Sequence, residues 1–81
     1  MYIRNTSNKR MINLDGVIEV WPHKVKYSNE KHTRYQIRLE WPKHSTTLEF
    51  ETEEERDNFL ERIASLLKPN DIDPTQKPLN L

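Results

Sequence analysis

Nine residues in the middle of the chain dictate most of what it can become. Thr33, Tyr35, Ile37, Leu39 and Trp41 alternate with Arg34, Gln36, Arg38 and Glu40. A period of two over that length marks a β-strand with one buried face and one wet face, the habit of an antiparallel sheet. Such a strand needs partners, and the chain supplies them on both sides. Downstream, Pro42-Lys43-His44-Ser45 reads as a turn, and the strand from Thr46 to Glu51 sets Thr46, Leu48 and Phe50 on one face. A four-residue turn then pairs Trp41 with Thr46, Leu39 with Leu48 and Ile37 with Phe50.

Upstream, a strand is expected from Val17 to about Tyr27, and its alternation changes phase. Ile18 and Val20 share one face, whereas Trp21, His23, Val25 and Tyr27 share the other. A strand changes faces only by taking in an extra residue, so a β-bulge is expected near Val20-Trp21-Pro22, where proline is also tolerated. A five-residue loop, Ser28 to His32, pairs Tyr27 with Thr33, Val25 with Tyr35, His23 with Ile37 and Trp21 with Leu39. A four-residue loop would instead set Val25 against Arg34 and turn the apolar residues to the wet side. At the start of the chain, Met1–Asn5 and Arg10–Leu14 flank the polar turn Thr6-Ser7-Asn8-Lys9, which places Ile3 opposite Ile12 and Met1 opposite Leu14. Asp15-Gly16 holds the sole glycine and marks the next turn.

After the strands the period changes from two to that of a helix. Thr52 with Glu55 three residues on has the form of a capping box, and Glu53, Glu54 and Glu55 crowd the turn where the helix dipole favours negative charge. Phe59, Leu60, Ile63, Leu66 and Leu67 make one apolar stripe, and Pro69 stops the helix. The expected fold is therefore α+β: a five-stranded antiparallel β-meander, curled or open, packed against one C-terminal α-helix. Residues 1–68 form a single domain, and residues 69–81, with Pro74 and Pro78 and no periodicity, read as a flexible tail.

Composition limits what such a domain can do. Its 81 residues hold thirteen basic and thirteen acidic side chains, no cysteine and one glycine. Residues 1–50 carry nine Lys/Arg against five Asp/Glu, net +4, and residues 51–68 carry three against six, net −3. Neither imbalance approaches the basic field of a dedicated nucleic-acid binder. Without cysteine there is no disulfide framework and no thiolate metal site, which suits the reducing cytoplasm. No apolar run has the length of a signal peptide or a membrane span, so the expected setting is cytoplasmic, with no membrane partner.

The search for chemistry returns little. Ser7, Ser28 and Ser45 fall in turns and Ser65 on the helix, and none sits in a glycine-framed elbow. One glycine cannot build a phosphate loop. His32 and His44 lie at opposite ends of the fourth strand, over ~30 Å apart at strand rise, and His23 lies far from both, so no metal is expected. Glu51, Glu53, Glu54, Glu55 and Asp57 are accounted for by the helix start. No cofactor or catalytic residue is expected.

Two surface constellations remain. Trp21 and Trp41 fall as diagonal neighbours on one face in the expected register, and with Tyr35 they form a candidate aromatic anchor for a partner. Lys24, Lys26, Arg34 and Arg38 fall on the wet face and form a candidate polyanion site. The aromatic side chains that would stack on bases are expected on the opposite, helix-facing side.

The order of elements carries a resemblance. Ile3-Arg4, a polar turn, Ile12-Asn13-Leu14-Asp15, a meander, then Phe50-Glu51-Thr52-Glu53-Glu54-Glu55 and an amphipathic helix resembles a pattern found in short uncharacterised bacterial and phage proteins. The meander-plus-helix ending also looks like the second half of a pleckstrin-homology-like domain, whose full form needs about seven strands where this chain has room for five. The resemblance implies a fold and no activity. The sequence thus points to a non-enzymatic protein-interaction module whose partner is another protein or a second copy of itself. The alternative is weak binding of nucleic acid or another polyanion through the basic sheet face.

Overall fold

The computed structural model describes residues 1–5 and 8–69. The tail from residue 70 onward, expected to be flexible, lies outside the described residues. Five antiparallel strands and one helix follow in chain order: β1 (Tyr2–Asn5), β2 (Arg10–Asn13), β3 (Glu19–Val25), β4 (Arg34–Glu40), β5 (Ser45–Phe50) and α1 (Glu53–Leu67). The elements are those expected. The strands divide into two sheets, a β1–β2 hairpin and a β3–β4–β5 meander.

The hairpin has the expected register, with Ile3 opposite Ile12 and the Leu14 N–H donating to the Met1 carbonyl at 2.8 Å. Ile3, Ile12 and Leu14 are buried together with Ile37, Leu39, Leu48, Phe59 and Ile63, so both sheets and the helix share one core. Trp41 ties them at the rim. Its indole N–H donates to the Asp15 carbonyl at 3.0 Å, and its ring edge lies 3.7 Å from where a Cβ on Gly16 would stand. Gly16 has φ +80°, which an L side chain rarely adopts, and so fixes this turn.

Two registers differ from expectation. In β4–β5 the pairs are Tyr35 with Phe50, Ile37 with Leu48 and Leu39 with Thr46, a shift of two residues. An even shift preserves the faces, so the core residues are unchanged. Its cause is the loop, which runs from Trp41 to His44 and is closed by the Trp41 N–H on the His44 carbonyl at 2.8 Å. Trp41 thereby leaves the ladder and docks on the Asp15-Gly16 turn.

In β3–β4 the pairs are Val25 with Arg34, Lys24 with Tyr35, Pro22 with Ile37, Trp21 with Arg38 and Val20 with Leu39. This is the odd shift, which turns every β3 side chain over. The change of phase comes earlier than Val20-Trp21-Pro22. Glu40 pairs with Glu19 in the ladder while its carbonyl accepts the Ile18 N–H at 2.8 Å, two residues against one in the manner of a bulge. Val17 and Val20 therefore both pack on the core, and Ile18 is thrown outward, 66% exposed. From Val20 onward the helix-side face carries Val20, Pro22 and Lys24, and Trp21, His23 and Val25 lie on the open face.

The helix begins as expected. Thr52 has extended φ/ψ of −127° and 156°, and its Oγ1 accepts the Glu55 N–H at 3.1 Å. Phe59 and Ile63 are buried, and so is Arg56, at 8% exposure. Leu66 and Leu67, expected within the stripe, are exposed. Lys68 closes the helix in the left-handed region (φ 49°), its N–H on the Ala64 carbonyl at 2.8 Å.

Candidate docking groove

The outward turn of Ile18 and the uncovered end of α1 meet along one side of the molecule. Between the β3 approach (Val17 to Val20) and the last two turns of α1 (Leu60, Ile63, Ala64 and Leu67) lies an open groove of about 440 Å³, with Pro69 at its end. Its floor is the edge of the core, where Ile63 is buried and Val17, Val20 and Leu60 are partly buried. Ile18 and Leu67 line it as exposed apolar side chains. Among the described residues Glu19 is the one ionisable side chain in the lining. The groove exists because the bulge at Ile18–Glu19 carries Ile18 off the sheet, while the helix buries only its Arg56, Phe59 and Ile63 face.

A larger depression, about 570 Å³, lies at the other end of the helix, bordered by Glu49, Glu51, Glu55 and Arg62. Its border of charged side chains makes it a solvated cleft rather than a place for an apolar ligand. Among the described residues no three His, Cys, Asp or Glu side chains gather in a group able to hold a metal ion. No helix of the described residues is long and apolar enough to cross a membrane.

The aromatic residues singled out in the sequence do not come together. Trp21 lies on the open face of the meander, where the Arg38 guanidinium stands 5.9 Å from its ring centre and the His23 ring meets it edge-on at 5.2 Å. Its indole N–H is buried and has no hydrogen-bond partner among the described residues. Trp41 packs against the core on the helix side, stacked on His44 at 4.5 Å and 10°. Tyr35 lies on that side too, and the Arg56 guanidinium stands 5.7 Å from its ring centre. The expected diagonal pair Trp21–Trp41 is undone by the odd shift of β3.

The basic residues are divided as well. Lys24 pairs with Tyr35 and so falls on the helix side, Lys26 is exposed just past the end of β3, and only Arg34 and Arg38 share the open face. Both arginines are met by carboxylates. Arg34 Nη2 lies 2.7 Å from Glu30 and its Nε 3.6 Å from Glu49, and Arg38 Nε lies 2.9 Å from Glu40. The hydrogen bond and charge of Glu30, then the charge of Glu49, hold the Arg34 guanidinium pKa above its ordinary value. Against expectation, aromatic rings share this face with the arginines: Tyr27 lies 5.7 Å from Arg34, and Trp21 lies beside Arg38.

Arg56 was not foreseen as a structural residue. Its Nη1 donates to the His23 carbonyl at 3.2 Å, and its guanidinium pairs with Asp57 at 3.0 Å and Glu53 at 3.4 Å. The signal was present in the spacing, since residues 56, 59, 60 and 63 fall on one helical face.

No protein-family model matches this chain, and neither a curated protein nor a solved structure shows significant similarity to it.

Proposed function

We propose that this domain is a small, non-enzymatic protein-interaction module whose working surface is the groove between the β3 approach and the C-terminal half of α1. The observation that carries the reading is the placement of Ile18 and Leu67, two exposed apolar side chains along one groove floored by the core. Concave, largely apolar surfaces with few polar groups are where ligands and partner segments bind. The reading belongs to a cytoplasmic setting, which suits a chain without cysteine.

Binding of a polyanion has less support. The open face offers Arg34 and Arg38 already engaged by Glu30, Glu49 and Glu40, so a phosphate would have to displace carboxylates to reach them.

Affinity capture from the native host, run in parallel with Ile18→Asp, Leu67→Asp and the double variant Arg34→Gln/Arg38→Gln, tests the proposal. The expected result is a protein partner lost from both groove variants and retained by the arginine variant. Loss from the arginine variant alone, together with salt-dependent retention of the wild type on heparin, would turn the reading to polyanion binding.

A further inference from the structure

The groove opens beside the point where the described chain ends. Lys68, in the left-handed region, turns the backbone out of α1, and Pro69 is itself part of the groove wall. Pro69, the last described residue, thus stands at the groove. Twelve residues follow, Asn70 to Leu81, and their apolar members are Ile72, Leu79 and Leu81.

We infer that the occupant of this groove is the chain's own segment 70–81, held in cis, so that a partner protein must displace it. The inference rests on the groove reading proposed above. Three physical arguments carry it.

The first is reach. From Leu60 to Leu67 the helical wall of the groove runs ~10 Å. Ile72 stands three residues past Pro69, a span of at most ~10 Å, and the twelve residues together can extend ~40 Å. Both ends of the groove are thus within reach of an apolar side chain from this segment.

The second is effective concentration. A short tether presents its segment at roughly millimolar concentration, and lengthening the loop raises the closure cost only slowly. A contact too weak to hold a free peptide is sufficient for a tethered one.

The third is chemical match. The groove needs one or a few apolar side chains rather than a large surface, and the segment offers three spaced among polar residues and two prolines. Pro74 and Pro78 lower the entropy lost when the segment is fixed.

The test uses the full chain, which has no cysteine and so accepts a single nitroxide at Asn80→Cys. In dilute, uniformly enriched protein, the amide signals of Val20, Ala64 and Leu67 should lose most of their intensity when the label is present and regain it on reduction. The loss should not depend on protein concentration. It should be absent when labelled, unenriched chain is mixed with unlabelled, enriched chain. Comparable loss in the mixture would assign the groove to the segment of a second copy and overturn the cis assignment. No loss at these residues in either sample would overturn it outright.

A second arm reads the groove itself with the apolar dye anilinonaphthalene sulfonate. Ile72→Asp/Leu79→Asp/Leu81→Asp should bind the dye about tenfold more tightly than the wild type, and Leu67→Asp should abolish that binding. Equal affinity in both chains, still abolished by Leu67→Asp, would leave the groove standing and overturn its occupation by this segment. Binding insensitive to Leu67→Asp would overturn the groove reading and the inference with it.

Discussion

The indole N–H of Trp41 donates to the backbone carbonyl of Asp15 at 3.0 Å, across 26 positions of sequence. This bond links the β1–β2 hairpin to the meander, because Asp15 stands two residues past the end of β2 and Trp41 leaves β4. The turn between them is further held by the Val17 N–H on the Leu14 carbonyl at 3.2 Å.

Replacing Trp41 with Phe keeps a ring and removes the donor. The expected loss is about 1 kcal/mol, the net worth of a typical hydrogen bond. Urea unfolding of the two chains measures it. An unchanged midpoint would show that the bond adds nothing to stability.

Trp21→Phe should behave differently. The Trp21 N–H is buried without a partner among the described residues, so Phe removes an unsatisfied donor while leaving a ring beside Arg38. Stability should stay within about 0.5 kcal/mol of the wild type or rise, since leaving a buried donor unpaired is itself costly. A fall larger than that for Trp41→Phe would mean that the Trp21 indole is held by more than packing.

Arg56→Ala should cost about 2 kcal/mol. It removes a hydrogen bond to the His23 carbonyl made by a charged donor, the guanidinium's place over the Tyr35 ring, and a buried side chain. Arg56→Lys should recover only part of the loss, because an ammonium cannot reproduce the planar fork. Full recovery in the lysine variant, read by thermal unfolding, would reduce the role of Arg56 to charge alone.

Thr52→Ala should cost about 1 kcal/mol, because the Glu55 N–H loses its acceptor. Thr52→Ser should keep nearly all of it. Equal losses in the two variants would place the contribution of Thr52 in its methyl group rather than its hydroxyl.

What was legible in the sequence follows from where the information is local. The β1–β2 register was legible because the turn length and two apolar pairs agree, and the helix start was legible because Thr52 and its acidic first turn act within a few residues. The β3 register was not. In a one-dimensional pattern Trp21 reads as a core residue, and counting it as one selects the five-residue loop, one residue out of register with the observed ladder. In three dimensions an Arg38 guanidinium over the ring covers Trp21 on the open face. Once that residue is misplaced, the partner-anchor set Trp21, Trp41 and Tyr35 and the basic set Lys24, Lys26, Arg34 and Arg38 are misdrawn with it. The groove was illegible for a related reason. It depends on a bulge at Ile18–Glu19, and the apolar pattern of Val17, Ile18 and Val20 fits more than one position for the extra residue.

Among the described residues every ladder joins strands that are neighbours in the chain: β1 with β2, β3 with β4, β4 with β5. Only four residues separate Glu40 from Ser45, and eight separate Val25 from Arg34. Each hairpin can thus nucleate alone within roughly microseconds, without waiting for a distant partner to diffuse in. The encounters that span long stretches are the docking of the helix and of the first hairpin, and these join pieces already formed. Such a layout has low contact order, so refolding on the order of milliseconds is expected, faster than sandwiches and barrels whose strands must find partners far away in sequence.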